Sequence, residues 1–168
     1  MIITVFGTGT PSEKGYQEGY ELGKKIALAG HTLKNGGYGG IMKASAKGAT
    51  EAGGEAIGVR INPEKVAWTC LENNFLTKII IKDTLHERIM ELMDADYIVV
   101  LDGKLGTLEE IFVVWNEFFA KGKGKLYLVG EKNKKLFEFL MKNGFLNEEH
   151  LPFIEVVDSI DDLEFLKN

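Results

Sequence analysis

The sequence predicts an α/β protein with a doubly wound, mostly parallel sheet and helices on both of its faces. Three observations carry that prediction. Short apolar runs alternate with amphipathic stretches of ten or more residues, the pattern of strand–helix–strand units joined by crossovers. The run Tyr97 to Leu101 is continuously apolar and rich in β-branched residues, as in a strand buried on both faces rather than one. The stretch Y-I-V-V-L-D-G-K-L-G-T-L-E-E, Tyr97 to Glu110, combines a buried strand, a turn with two glycines and the start of a helix.

The elements follow in order. Ile2 to Phe6 is a strand, followed by the loop Gly7-Thr8-Gly9-Thr10-Pro11. A helix runs from about Ser12 to Ala29 and stops at Gly30. His31 to Leu33 is a second strand, Asn35 to Gly40 a glycine loop, and Ile41 to about Ala52 a helix. Gly53-Gly54 end that helix and Glu55 to Val59 is a third strand. Arg60 to Phe75, with Pro63 and Asn73-Asn74, reads as a loop holding one helical turn. Thr77 to Ile81 is a strand, and Thr84 to Met93 a helix opened by the capping box Thr84–Glu87. Tyr97 to Leu101 is the central strand, and the helix after it starts at Thr107 and is closed by Gly122. Leu126 to Val129 is a strand, and Lys132 to Lys142 a helix ended by Asn143-Gly144. Phe153 to Val157 and Asp161 to Leu166 are a last strand and a last short helix. Right-handed crossovers are expected.

With 168 residues the chain is expected to form one domain, residues 1–168, with a full core. Twenty glycines against three prolines, grouped in loops rather than spread, argue against low complexity. A net charge of −5 disfavours nonspecific binding to nucleic acid or acidic membrane. The start M-I-I-T-V-F-G lacks a signal peptide's basic region and no apolar run spans a bilayer, so a cytoplasmic location is expected. Cys70 is the single cysteine, read as a small buried hydrophobe. His86 and His150 have no companion at metal-ligand spacing, so no metal site is expected. No cofactor is expected either.

Four stretches carry candidate chemistry. Gly103, Lys104, Gly106 and Thr107 lie between strand and helix, where unpaired N–H groups and the helix dipole favour an anion; Gly106, Thr107 and Leu108 are the expected donors. Gly7 and Thr8 suggest a dinucleotide loop, but Ser12 replaces the third glycine of G-x-G-x-x-G, and no acid follows the second strand. Gly36, Gly37, Gly39, Gly40 and Met42, between a strand and a helix, are read as a loop facing a ligand; a tight turn against a neighbouring strand is the alternative. Arg88 shares a helix face with Leu85 and Leu92, so it needs an anion, either a ligand or Glu91 or Asp94, or must reach water. Glu110 closes a second capping box, Thr107 to Glu110, and on the residues alone capping outranks catalysis as its role.

Taken together, the motifs resemble the LONELY GUY family, also called lysine decarboxylase-like, within the Rossmann-like nucleotide-binding proteins. Its signatures are M-H-E-R-K and P-G-G-x-G-T-x-x-E. This chain has L-H-E-R-I at Leu85 to Ile89 and D-G-K-L-G-T-L-E-E at Asp102 to Glu110, with N-G-G-Y-G-G-I-M before them. The resemblance covers about Ile2 to Val129. It implies hydrolysis of the N-glycosidic bond of a nucleoside 5′-monophosphate, with Arg88 and Glu110 catalytic and the phosphate at Gly103, Gly106 and Thr107. The family's proline is Asp102 here, its second glycine is Lys104 and its M-H-E-R-K lysine is Ile89. Asp102 sets a negative charge where phosphate approaches, and Lys104 either obstructs the turn or serves as a phosphate ligand. Nothing marks a lysine for a pyridoxal phosphate Schiff base. A carrier of a nucleotide or cofactor that keeps the fold without the reaction is the alternative. The helix from Thr107, apolar almost all round through Ile111, Phe112, Val113, Val114, Trp115, Phe118 and Phe119, predicts a homodimer, or burial under the C-terminal elements.

Overall fold

The computed structural model describes residues 1–67 and 72–167; Cys70 lies outside the described residues. Among the described residues seven strands form one parallel sheet: β1 (Ile2–Phe6), β2 (Thr32–Asn35), β3 (Ala56–Ile61), β4 (Lys78–Lys82), β5 (Tyr97–Val100), β6 (Leu126–Val129) and β7 (Ile154–Val157). Their order is β4-β3-β2-β1-β5-β6-β7, and every pairing is parallel. The chain thus builds outward from β1 in one direction and from β5 in the other. The order reverses between β1 and β5, where Phe6 stands beside Val100. In doubly wound sheets a crevice opens at that reversal, outside the carboxyl ends of the strands.

Alternation along each strand feeds two cores. Ile3, Val5, Leu33 and Val99 pack with α1 (Glu13–Leu28) and α2 (Ile41–Glu51) on one face. Phe6, Ile98, Val100 and Leu126 pack with α3 (Leu85–Met93), α4 (Leu105–Lys121) and α5 (Glu131–Lys142) on the other. This is the doubly wound α/β architecture the sequence predicts, with Rossmann-like strand order. Helices α1 and α2 touch backbone to backbone. A Cβ on Gly23 would lie 1.9 Å from the carbonyl oxygen of Ser45, and one on Gly48 1.9 Å from that of Tyr20.

Several boundaries differ from the sequence reading. β2 continues through the buried polar pair Lys34-Asn35, because it is paired on both sides, with β1 and β3. β3 runs on to Ile61, held by β4 at Lys82, before a 3-10 turn at Pro63–Lys65. Two 3-10 turns, Ile160–Asp162 and Glu164–Leu166, replace the last helix. They bury Leu163 and stack Phe165 on Tyr97 at 4.2 Å, covering the face of β5 and β6 that α1 and α2 do not reach. The capping box of α3 forms as expected, with Thr84 Oγ1 accepting from Glu87 N at 3.1 Å and Glu87 Oε2 from Thr84 N at 3.0 Å. No helix among the described residues is long and apolar enough to cross a membrane.

Candidate functional site

At the reversal between β1 and β5 lies a cleft of about 370 Å³. One wall is the loop after β1, Gly7 to Gly9; another is the first turns of α4, Lys104 to Glu110. Arg88, Leu85 and Ile89 of α3 close it from the side, with Tyr38 of the glycine loop and Met42 in the first turn of α2. Peptide hydrogen bonds tie the loop after β1 to its neighbours: Thr8 N donates to Asp102 O beyond β5 at 2.9 Å, and Ile41 N at the start of α2 donates to Thr8 O at 3.0 Å.

Arg88 and Glu110, 22 positions apart in sequence, meet here. Arg88 Nη1 stands 3.5 Å from Glu110 Oε1. The guanidinium is fixed mainly by backbone: Nε donates to Val59 O at 2.9 Å and Nη2 to Gly36 O at 3.2 Å. Its carbon also lies 5.5 Å from the ring centre of Tyr38. Two donor edges are therefore spent on carbonyls, and the third reaches the carboxylate only at long range. Burial pushes the Glu110 carboxyl up from 4.5 to about 7, against the lowering field of Arg88 and with a further upward push from Glu109. Glu91, a partner expected for Arg88, is taken by Lys82 at 2.7 Å and Lys34 at 3.8 Å.

The Thr107–Glu110 capping box does not form. Helix α4 begins at Leu105, two residues earlier than the sequence suggested, with Lys104 at the cap position and no side-chain cap bond. Glu110 is then well inside the helix, too far along to reach its first N–H groups, and its carboxylate turns to Arg88 instead. Leu108 N donates to Lys104 O at 3.0 Å, so the first-turn donors outside the ladder are those of Leu105, Gly106 and Thr107. Lys104 has φ −124° and ψ −158°, ordinary extended backbone, so a side chain there does not obstruct the turn. Its Nζ donates to Thr10 Oγ1 at 2.7 Å. Gly103 backs onto Thr107, where a Cβ would lie 2.3 Å from the threonine Cβ. The Asp102 carboxylate is held by Lys132 Nζ at 2.6 Å.

The sequence-predicted residues divide into two groups. Arg88, Glu110, Lys104, Gly106, Thr107, Gly7, Thr8 and Met42 line the cleft together. Gly36, Gly37, Gly39, Gly40 and Gly103 are not among the residues that line it. Gly36 and Gly37 turn their carbonyls to arginines, Gly36 O to Arg88 and Gly37 O to Arg60 Nε at 2.9 Å. Gly37 needs its φ of +79°, and a Cβ on Gly40 would meet Gly9 C at 2.4 Å. Sequence reasoning did not single out Tyr38, which accepts from Ile61 N at 2.8 Å and has Arg60 5.9 Å and Arg88 5.5 Å from its ring centre. It also missed Asn133, buried at the start of α5, whose Nδ2 reaches Val100 O and Val129 O at 3.0 and 2.9 Å. An aromatic residue between glycine pairs was the one available signal for Tyr38; for Asn133 and Lys132 there was none.

Known proteins resemble this chain in sequence or in fold. An uncharacterized protein of Archaeoglobus fulgidus is 39% identical over 118 residues, 70% of this chain and 75% of that protein. A Mycobacterium tuberculosis protein named cytokinin riboside 5′-monophosphate phosphoribohydrolase is 27% identical over 169 residues, 95% of this chain and 89% of that one. Among solved structures, the molybdenum cofactor binding protein of Rippkaea orientalis superposes with a TM-score of 0.72 at 24% identity, covering 95% of this chain and 90% of that one, a likeness of fold. The model of the SLOG cluster4 family matches residues 1–144, and the chain belongs to that family.

Proposed function

We propose that the chain hydrolyses the N-glycosidic bond of a nucleoside 5′-monophosphate, giving free base and ribose 5-phosphate. The observation that carries this reading is a carboxylate and a guanidinium, Glu110 and Arg88, in one cleft with the free N-terminus of α4. The relative named a phosphoribohydrolase, matched along nearly its whole length, supports it. The phosphate sits at the first-turn N–H groups of α4, where the helix dipole favours an anion, and anchors the ligand away from the breaking bond. Tyr38, Met42 and Leu85 offer the ring and apolar surface for the base. As the C1′–N bond breaks, its electron pair leaves with the base, which takes up a proton, and positive charge grows on the ribose. Glu110 stabilises that charge and accepts a proton from the water that adds to C1′. A carboxyl near 7 is poised for this, since base catalysis is best served by a group titrating near the working pH. Arg88, fixed by Val59 O and Gly36 O, keeps the carboxylate oriented.

The second reading, a carrier that binds a nucleotide or related phosphorylated cofactor without hydrolysing it, is favoured by the altered turn, in which Lys104 rests on Thr10. Incubating the protein with a panel of nucleoside monophosphates and measuring free base separates the two. Base release from at least one member is expected; binding with no release across the panel selects the carrier.

A further inference from the structure

Four successive backbone carbonyls, from Val100 to Gly103, accept hydrogen bonds from outside their own strand pairs. Asn133 Nδ2 donates to Val100 O at 3.0 Å and Leu101 O at 3.3 Å, Thr8 N to Asp102 O at 2.9 Å, and Lys132 Nζ to Gly103 O at 2.6 Å. The same Lys132 Nζ holds Asp102 Oδ1 at 2.6 Å. Lys132 sits in the first turn of α5, where the helix dipole disfavours a cation, so helix stability does not account for its charge there. The charges around Asp102 show what it answers. Asp102 lies within the field of Glu18 on α1, itself half-buried and partly offset by Lys14, while Lys104 is turned to Thr10. Without Lys132, Asp102 would stand as an uncompensated carboxylate directly before the helix end that the phosphate approaches.

We propose that Lys132 is a positioning residue for the phosphate end of the cleft: it takes up the charge of Asp102 and the carbonyl of Gly103, leaving the N-terminus of α4 free to receive an anion. The inference rests on the phosphate-binding reading of that terminus. It makes Asp102 and Lys132 one unit, in which Lys132 acts through Asp102 and does not itself contact the phosphate.

The test is calorimetric titration of the full chain with ribose 5-phosphate at low salt. Lys132→Met is expected to weaken binding by roughly fivefold to tenfold, the scale of one unscreened charge near the site, and by less at about 0.5 M salt. Lys132→Arg should bind like the wild type. The double variant Asp102→Asn/Lys132→Met should recover to within about twofold of the wild type, because removing both charges removes the need for the pair. An exposed bridge contributes little to stability, so all variants should melt with the wild type. Unchanged affinity in Lys132→Met overturns the inference. A double variant as weak as Lys132→Met also overturns it, because Lys132 is then a direct ligand. If the folded wild type does not bind ribose 5-phosphate, the phosphate reading itself fails and takes the inference with it.

Discussion

Gly36 has no side chain because Arg88 occupies the space: a Cβ there would lie 2.1 Å from Arg88 Nη2 and 2.7 Å from Met42 Sδ. Both obstacles are the far ends of flexible side chains, so Gly36→Ala keeps the fold while moving the guanidinium off Gly36 O. We expect a stability loss of about 1–3 kcal/mol, the scale of a weakened bond to a charged group. Base release should fall by about 10²-fold, the scale of misplacing a catalytic group by an ångström. A Gly36→Ala protein with full activity would show that the Arg88 position is not needed.

Titration of Glu110 sets stability against activity. Its folded-state pKa of about 7 lies above its ordinary 4.5, so the folded protein holds this proton more tightly. The stabilisation is fully present below about 4.5 and is lost as pH rises through about 7. The span corresponds to about 3 kcal/mol at one pKa unit per 1.36 kcal/mol. Denaturant melts of wild type and Glu110→Gln should therefore agree near pH 4.5 and diverge by pH 8, with the glutamine variant the more stable. Under the proposed function, base release at limiting substrate should rise over the same window, as the carboxylate ionises. Parallel stability curves for the two proteins would refute the raised pKa.

The contact of α1 with α2 leaves no room for a methyl group. Gly23→Ala would set Cβ against the backbone of Ser45, which cannot rotate away as a side chain can. The helix pair must separate, at a cost of about 1–3 kcal/mol, more than the roughly 1 kcal/mol that alanine gains over glycine in a helix. A lowered denaturation midpoint is expected, and an unchanged or raised one contradicts the close packing.

Helix α4 keeps part of its apolar surface uncovered. Phe119 is covered within the chain by His150 at 4.6 Å and Phe153 at 6.1 Å, and Trp115 Nε1 donates to His150 O at 3.0 Å. Phe112 remains 43% exposed, with Phe145 65% exposed beside the same groove. A homodimer through this face remains our proposal. Light scattering should give a dimer at micromolar concentration and Phe112→Asp should shift it toward monomer; a monomeric wild type contradicts it.

The fold was legible because its signals are local: β-branched runs, glycine stops and capping boxes such as Thr84–Glu87 mark their own elements. The pairing of Arg88 with Glu110 was not readable from spacing, since it depends on the reversal between β1 and β5; only family resemblance joined the two. The Thr107–Glu110 box misled because its pattern fits a helix start, whereas the helix begins at Leu105 and leaves Glu110 inside it. The glycine loop was legible as a close approach of backbone. What approaches Gly36 and Gly37 in the structure is two arginine side chains, which no local pattern could name. Lys132 and Asn133 escaped notice because their partners, Val100 to Gly103, lie some thirty residues away.

The proposed catalytic role of the Glu110 carboxylate is tested most directly by base release from Glu110→Gln at pH 8, on whichever nucleoside monophosphate of the panel the wild type is found to cleave. Glutamine keeps the shape and lacks the charge. A reduction of about 10²-fold or more is predicted, the usual scale for removing a general base, in a protein that melts at least as high as the wild type. Full turnover by Glu110→Gln would contradict the assignment and leave the carboxylate without a part in the reaction.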